Sequence, residues 1–98
     1  MDLKTEAFRN HLATIIPDSK VRYEITANNK HKYIIDTNGP PHCHWLFVQR
    51  VFIEDKTEQE MIESFALCNA PNILRGSRQP LRLYLSNEGL KSVDEHFS

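Results

Sequence analysis

Phe8, Leu12, Ile15 and Ile16 lie four, three and one residues apart, so they fall on a single stripe of a helix running from about Leu3 to Ile16. Asp2 stands where an N-cap belongs, and Pro17-Asp18 stops the helix. From Val21 to Thr26 apolar and polar residues alternate, the pattern of a half-buried strand. Asn28-Asn29-Lys30 is turn chemistry, because Asn tolerates positive φ, and His31 to Asp36 reads as the returning strand of a hairpin. Asn38-Gly39-Pro40-Pro41 is the strongest break in the chain.

Trp45 to Ile53 is the longest apolar run. Its β-branched and aromatic content predicts a strand, and apolar groups on both faces place that strand in the middle of a sheet. Thr57-Glu58-Gln59-Glu60 fits a capping box, with a helix following to about Cys68 and Met61, Ile62, Phe65 and Leu67 or Cys68 turned inward. Asn69-Ala70-Pro71 ends it, and Asn72 to Pro80 reads as a loop. Leu81 to Leu85 alternates again as a strand, and Ser86 or Asn87 is placed to cap a short last helix carrying Leu90, Val93 and Phe97. The predicted order is α-β-β-β-α-β-α. The fold class is α+β: one domain over residues 1–98, with a single layer of about four mainly antiparallel strands packed on one face by helices. Tyr23, Ile25, Tyr33, Ile35, Trp45, Phe47, Phe52, Leu83 and Leu85 join the helix residues in the expected core. The last strand is expected at an edge of the sheet.

Composition narrows the class. Apolar residues make up 40% and charged residues 26%, which excludes a disordered or membrane-embedded chain. The formal net charge of −1 rules out a strong overall commitment to polyanions. Its distribution is uneven: Glu54 to Glu63 holds five acids and one lysine, and Ser64 to Ser86 holds Arg75, Arg78 and Arg82 with no acid. Two opposed patches on a small body suit steering toward a protein partner. No apolar signal segment opens the chain, and no stretch nears the ~18 apolar residues of a membrane span. Cys43 and Cys68 then read as free thiols, and a cytoplasmic location is expected.

Four local features bear on chemistry. His42-Cys43-His44 puts two imidazoles at i and i+2, on one side of a strand, so His42 and His44 are candidate metal ligands. A complete site needs partners such as Cys68, His31, Glu54 or Asp55, and no CxxC or HExxH supplies them; no metal or cofactor is expected. Cys43 has histidine neighbours that would lower its pKa, but strand neighbours point to opposite faces, so no catalytic residue is assigned. Tyr33, Gly39-Pro40-Pro41-His42 and Phe47 are similar to a stretch of the double-stranded-RNA-binding domain, where a tyrosine strand leads to a G-P-x-H turn and an aromatic on the next strand. The resemblance implies that the turn bearing His42 enters an RNA minor groove. The chain departs from that pattern at Lys56 to Glu60, where the family carries phosphate-gripping lysines. Last, Arg75-Gly76-Ser77-Arg78-Gln79-Pro80, continued by Arg82, presents guanidinium forks suited to carboxylate or phosphate.

The leading expectation is a small non-catalytic protein-interaction module: an adaptor, an inhibitor or a self-associating subunit. Leu81, Leu83, Leu85 and Tyr84 form the edge expected to pair in a homodimer. The alternative is an RNA- or DNA-binding module. The candidate binding residues are Arg75, Arg78, Arg82, Lys30, Lys32, His42 and Trp45.

Overall fold

The apolar stripe at Phe8, Leu12 and Ile15 does form a helix, α1 (Leu3–Ile15), and all three side chains are buried. The computed structural model describes residues 3–39, 43–94, 96 and 97. Strands β1 (Lys20–Ile25), β2 (His31–Asp36) and β3 (Cys43–Val48) follow as an antiparallel meander. Asn29, at φ 60°, turns the first hairpin; its N–H donates to the carbonyl of Thr26 at 2.9 Å. Three helices come next, α2 (Arg50–Asp55), α3 (Glu58–Leu67) and α4 (Ala70–Gly76), and then the hairpin β4 (Arg82–Ser86) and β5 (Gly89–Ser92). The sheet has five strands in the order β1-β2-β3-β4-β5 and is mixed, because β3 and β4 run parallel. A parallel pair needs a long crossover, and the three helices supply it.

β3 is the central strand, as its two-sided apolar run predicts. The helices pack on one face. Phe8 sits edge-on to Tyr33 and to Phe65, each with ring centroids 5.4 Å apart, at the centre of that layer. Leu46, Val48, Leu83 and Leu85 reach it from the sheet, and Phe52, Met61, Ala70 and Leu74 from the helices. Burying each large apolar side chain contributes about 1.5–3 kcal/mol before entropy is subtracted. The Tyr33 hydroxyl, inside this core, donates to the carbonyl of Thr5 at 3.2 Å.

Several sequence expectations are corrected. The strand expected through Ile53 stops at Val48, and 50–55 is helical. Phe52 and Ile53 are both buried while Val51 is exposed, and two neighbours share one face on a helix but not on a strand. Pro71 opens α4 rather than ending order there: it lies in the first turn, where its missing N–H costs nothing, after the left-handed Asn69 breaks the chain at φ 62°. The expected last helix is β5, because Gly89 adopts φ 116° and reverses the chain. Among the described residues the strands therefore number five. β4 is not an edge but lies between β3 and β5, so Leu81, Leu83, Leu85 and Tyr84 do not form an open pairing edge. Ile25, expected inside, is 56% exposed at the end of β1. Asp2 lies outside the described residues.

Candidate interaction face

The helices leave the other face of the sheet open, and strand register decides what stands on it. One cross-strand row runs Glu24, Lys32, Phe47, Tyr84, Lys91 across all five strands. The row beside it runs Arg22, Ile34, Trp45, Arg82. Lys20 and Asp36 pair beyond it. Five bases and two acids thus occupy strand positions on one face of a chain whose net charge is −1.

These cations are held in place. Lys32 Nζ lies 3.6 Å from the centre of the Trp45 ring and Arg82 Cζ lies 4.0 Å from it, so one indole is flanked by a cation from each neighbouring strand. Such contacts contribute about 0.5–2 kcal/mol, more where water is excluded. The Lys32 side chain is only 13% exposed, and its charge is met by Glu24 at 3.6 Å. Arg82 Nη1 donates to the carbonyls of Cys43 at 3.2 Å and Leu81 at 3.0 Å, which fixes the guanidinium plane. Arg22 Nε donates to Asp36 at 3.0 Å. Phe97 folds back over the same face, with its ring 5.0 Å from that of Phe47 and 5.2 Å from that of Tyr84, and Lys30 Nζ stands 3.7 Å above it. Lys91 Nζ lies 5.4 Å from the Tyr84 ring. Burial, and then the nearby Glu88, raise the Tyr84 pKa, so its hydroxyl stays a neutral donor.

Of the residues singled out from sequence, the structure brings Lys30, Lys32, Trp45 and Arg82 together here. Arg75 belongs instead to the last turn of α4, and Arg78 is exposed in the loop that follows. His42 and the Pro40-Pro41 turn that carries the likeness to the double-stranded-RNA-binding domain lie outside the described residues. His44 points the other way, into the helix-covered side, where it is fully buried and its Nδ1 accepts the Leu81 N–H at 3.0 Å. Among the described residues, no three His, Cys, Asp or Glu side chains stand together as a metal-binding group. Cys43 is on the open side, opposite to His44, and burial, then Asp36, push its thiol up, away from the thiolate a nucleophile needs. Both cysteines are free. Arg22, Lys91 and Phe97 carry no binding expectation from sequence, Tyr84 is expected there only as part of a pairing edge, and Phe47 only through the likeness to the double-stranded-RNA-binding domain. Outward alternation marks Arg22 and Tyr84, but their neighbours depend on register and on the course of the chain end.

Comparison with protein-family models, curated proteins and solved structures finds no match in any of the three. Among the described residues no helix is long and apolar enough to cross a membrane.

Proposed function

We propose that this protein is a non-catalytic interaction module that docks an acidic protein surface on the open face of its sheet. The observation that carries the reading is Trp45 flanked by Lys32 and Arg82 at the centre of a base-rich face. Trp, Tyr and Arg are the residues on which interface energy concentrates, and cations already fixed in place lose little entropy when a carboxylate arrives. Glu24 and Asp36 within the face favour a protein, which can answer both signs, over a uniform polyanion. Arg75 and Arg78 extend the basic character beyond the sheet, and the exposed acids of α2 and α3 lie on the helical layer. Those acids give a second copy of the chain a complementary surface, so homodimer formation is one form this function takes. Two unpaired thiols support a reducing compartment, the cytoplasm, as its setting.

The second reading is nucleic-acid binding, supported by the same base excess and by the aromatic row. It is the weaker reading. Lys32 and Arg82 stand over the Trp45 ring and Phe97 packs on Phe47 and Tyr84, which limits the ring surface left to stack on a base. Calorimetric titration with a glutamate-rich peptide and with an oligonucleotide of equal charge separates the two. The peptide is expected to bind, more weakly as salt rises, and to lose about tenfold in affinity when the exposed Lys20 and Lys91 are reversed to Glu. Tighter binding of the oligonucleotide would move the assignment to nucleic acid, and no binding of either would remove both.

A further inference from the structure

One large ring on the open face is buried with no helix above it. Phe47 is 1% exposed, yet it stands outside the core cluster that the helices cover. By register Lys32 flanks it on β2 and Tyr84 on β4. Its cover is Phe97, which meets it edge-on with ring centroids 5.0 Å apart and 72° between the planes. The Phe97 ring also leans on Tyr84 at 5.2 Å, and Lys30 Nζ stands 3.7 Å from its centre. Two rings and a cation thus form a slot for one aromatic side chain, and the chain fills it with its own.

Little else ties that ring to the sheet. The ladder of β5 ends where the Val93 N–H donates to the Arg82 carbonyl at 2.8 Å. Past it, the hydrogen bonds among the described residues are local: the Phe97 N–H donates to the Asp94 carbonyl at 3.1 Å, and the His96 N–H to Asp94 Oδ1 at 2.8 Å. Contacts of one ring with two others are modest, and fixing the backbone that carries it costs a comparable amount of entropy. One seated ring set against that cost makes a reversible closure. The sequence here matters as much as its place. Asp94-Glu95-His96-Phe97 sets two acids beside an aromatic residue, and the face that Phe97 folds onto holds Lys30, Lys32, Arg82 and Lys91. Acids with an aromatic anchor match a basic face with a ring-lined slot.

We propose that Phe97 is an internal substitute for the partner: it fills the aromatic subsite of the docking face, and the partner is an acidic segment whose own aromatic side chain displaces it from Phe47 and Tyr84. The slot is part of the docking face proposed above and depends on that reading. It adds an anchor residue on the partner and a competitor within the chain. Because Phe97 must leave first, the apparent affinity of the aromatic anchor is reduced by the fraction of molecules in which the slot is empty. Carboxylates need no such opening, since Arg22 and Lys91 are exposed on this face with Phe97 seated.

The test uses a glutamate-rich peptide carrying one phenylalanine and the same peptide with alanine in its place, titrated calorimetrically at low salt into the full chain and into Phe97→Ala. The phenylalanine peptide should bind Phe97→Ala about tenfold more tightly than the parent chain, and the alanine peptide should gain less than about twofold. A second measurement keeps the ring and so keeps the fold: 4-fluorophenylalanine is placed at position 97. Saturation with the phenylalanine peptide should carry its fluorine resonance to the position seen in the urea-unfolded chain, and the alanine peptide should leave it in place. The proposal is overturned if Phe97→Ala gains nothing for the phenylalanine peptide, if it gains equally for both peptides, or if the fluorine signal stays put at saturation. It is also overturned if an oligonucleotide of equal charge gains more than the phenylalanine peptide in Phe97→Ala, since the bared Phe47 and Tyr84 would then be stacking bases. Continued binding of the alanine peptide in those cases leaves the docking face standing and sinks the slot alone. Silence of both peptides toward both chains removes face and slot together.

Discussion

The two faces of one sheet are built by the same five strands and obey different physics. On the covered face Tyr33, Leu46, Val48, Leu83 and Leu85 meet helices, and what holds them is removal of apolar surface from water. On the open face Lys32, Trp45 and Arg82 meet each other, and what holds them is attraction between cations and one ring. The first arrangement tolerates no charge and explains why the chain folds. The second keeps charge at the surface in a fixed geometry, which burial alone would not require, and that is why it is read as the working side. His44 and Trp45 show the contrast between adjacent residues: one is sealed with a single partner, the other is flanked by two cations in reach of solvent.

This contrast can be broken experimentally, and the covered face should respond most. Phe65→Ala leaves a cavity against Phe8 and should cost about 3–5 kcal/mol in urea unfolding; a loss under 1 kcal/mol would mean the helices do not carry the core. On the open face, Lys32→Met keeps the stem that covers Trp45 and Phe47 and removes the charge. Stability should change by no more than about 1 kcal/mol, since a half-paired cation gives way to an apolar group of similar shape, while affinity for an acidic peptide falls about tenfold. A comparable loss from Thr57→Ala would blur the contrast. That substitution removes the capping box, in which the Thr57 side chain accepts the Glu60 N–H at 3.1 Å and Glu60 accepts the Thr57 N–H at 2.9 Å. It should cost about 1 kcal/mol of stability and no binding.

The smallest effect is one of pH. In the unfolded chain His44 takes up its proton near its ordinary value of 6.5, and in the folded chain only at lower pH. Its contribution is therefore complete above about pH 6.5 and is lost as pH falls below that value toward the folded one. His11, lowered by burial, acts in the same sense. Thermal unfolding at stepped pH should show a falling melting temperature on the acid side, with a shallower slope in His44→Asn. An unchanged slope would place the sensitivity elsewhere.

The covered face was largely legible in the sequence, because a period of two along β1 and β4 and the stripe at Phe8, Leu12 and Ile15 state it directly. The capping box at Thr57 announced α3 to within a residue. Legibility failed where neighbours in space come from distant segments. Trp45 reads as core by composition, yet it lies on the open face because Lys32 and Arg82, 13 and 37 residues away, are brought to its two sides by register. Phe97 reads as one side of a helix, and Gly89 redirects the chain so that it covers Tyr84 instead. The arginines at 75, 78 and 82 read as one loop patch, but Arg75 lies in the last turn of α4 and Arg82 opens β4, so of the three it is Arg82 that stands beside Trp45.

Trp45 is the only tryptophan in the chain, and it stands at the centre of the proposed docking face. Its fluorescence during titration with a glutamate-rich peptide at low salt therefore reads that face directly. Saturable change in its emission is predicted, weakened by Lys32→Met and by added salt. Binding seen by calorimetry while Trp45 emission stays flat would place the recognition surface elsewhere on the molecule and contradict the account.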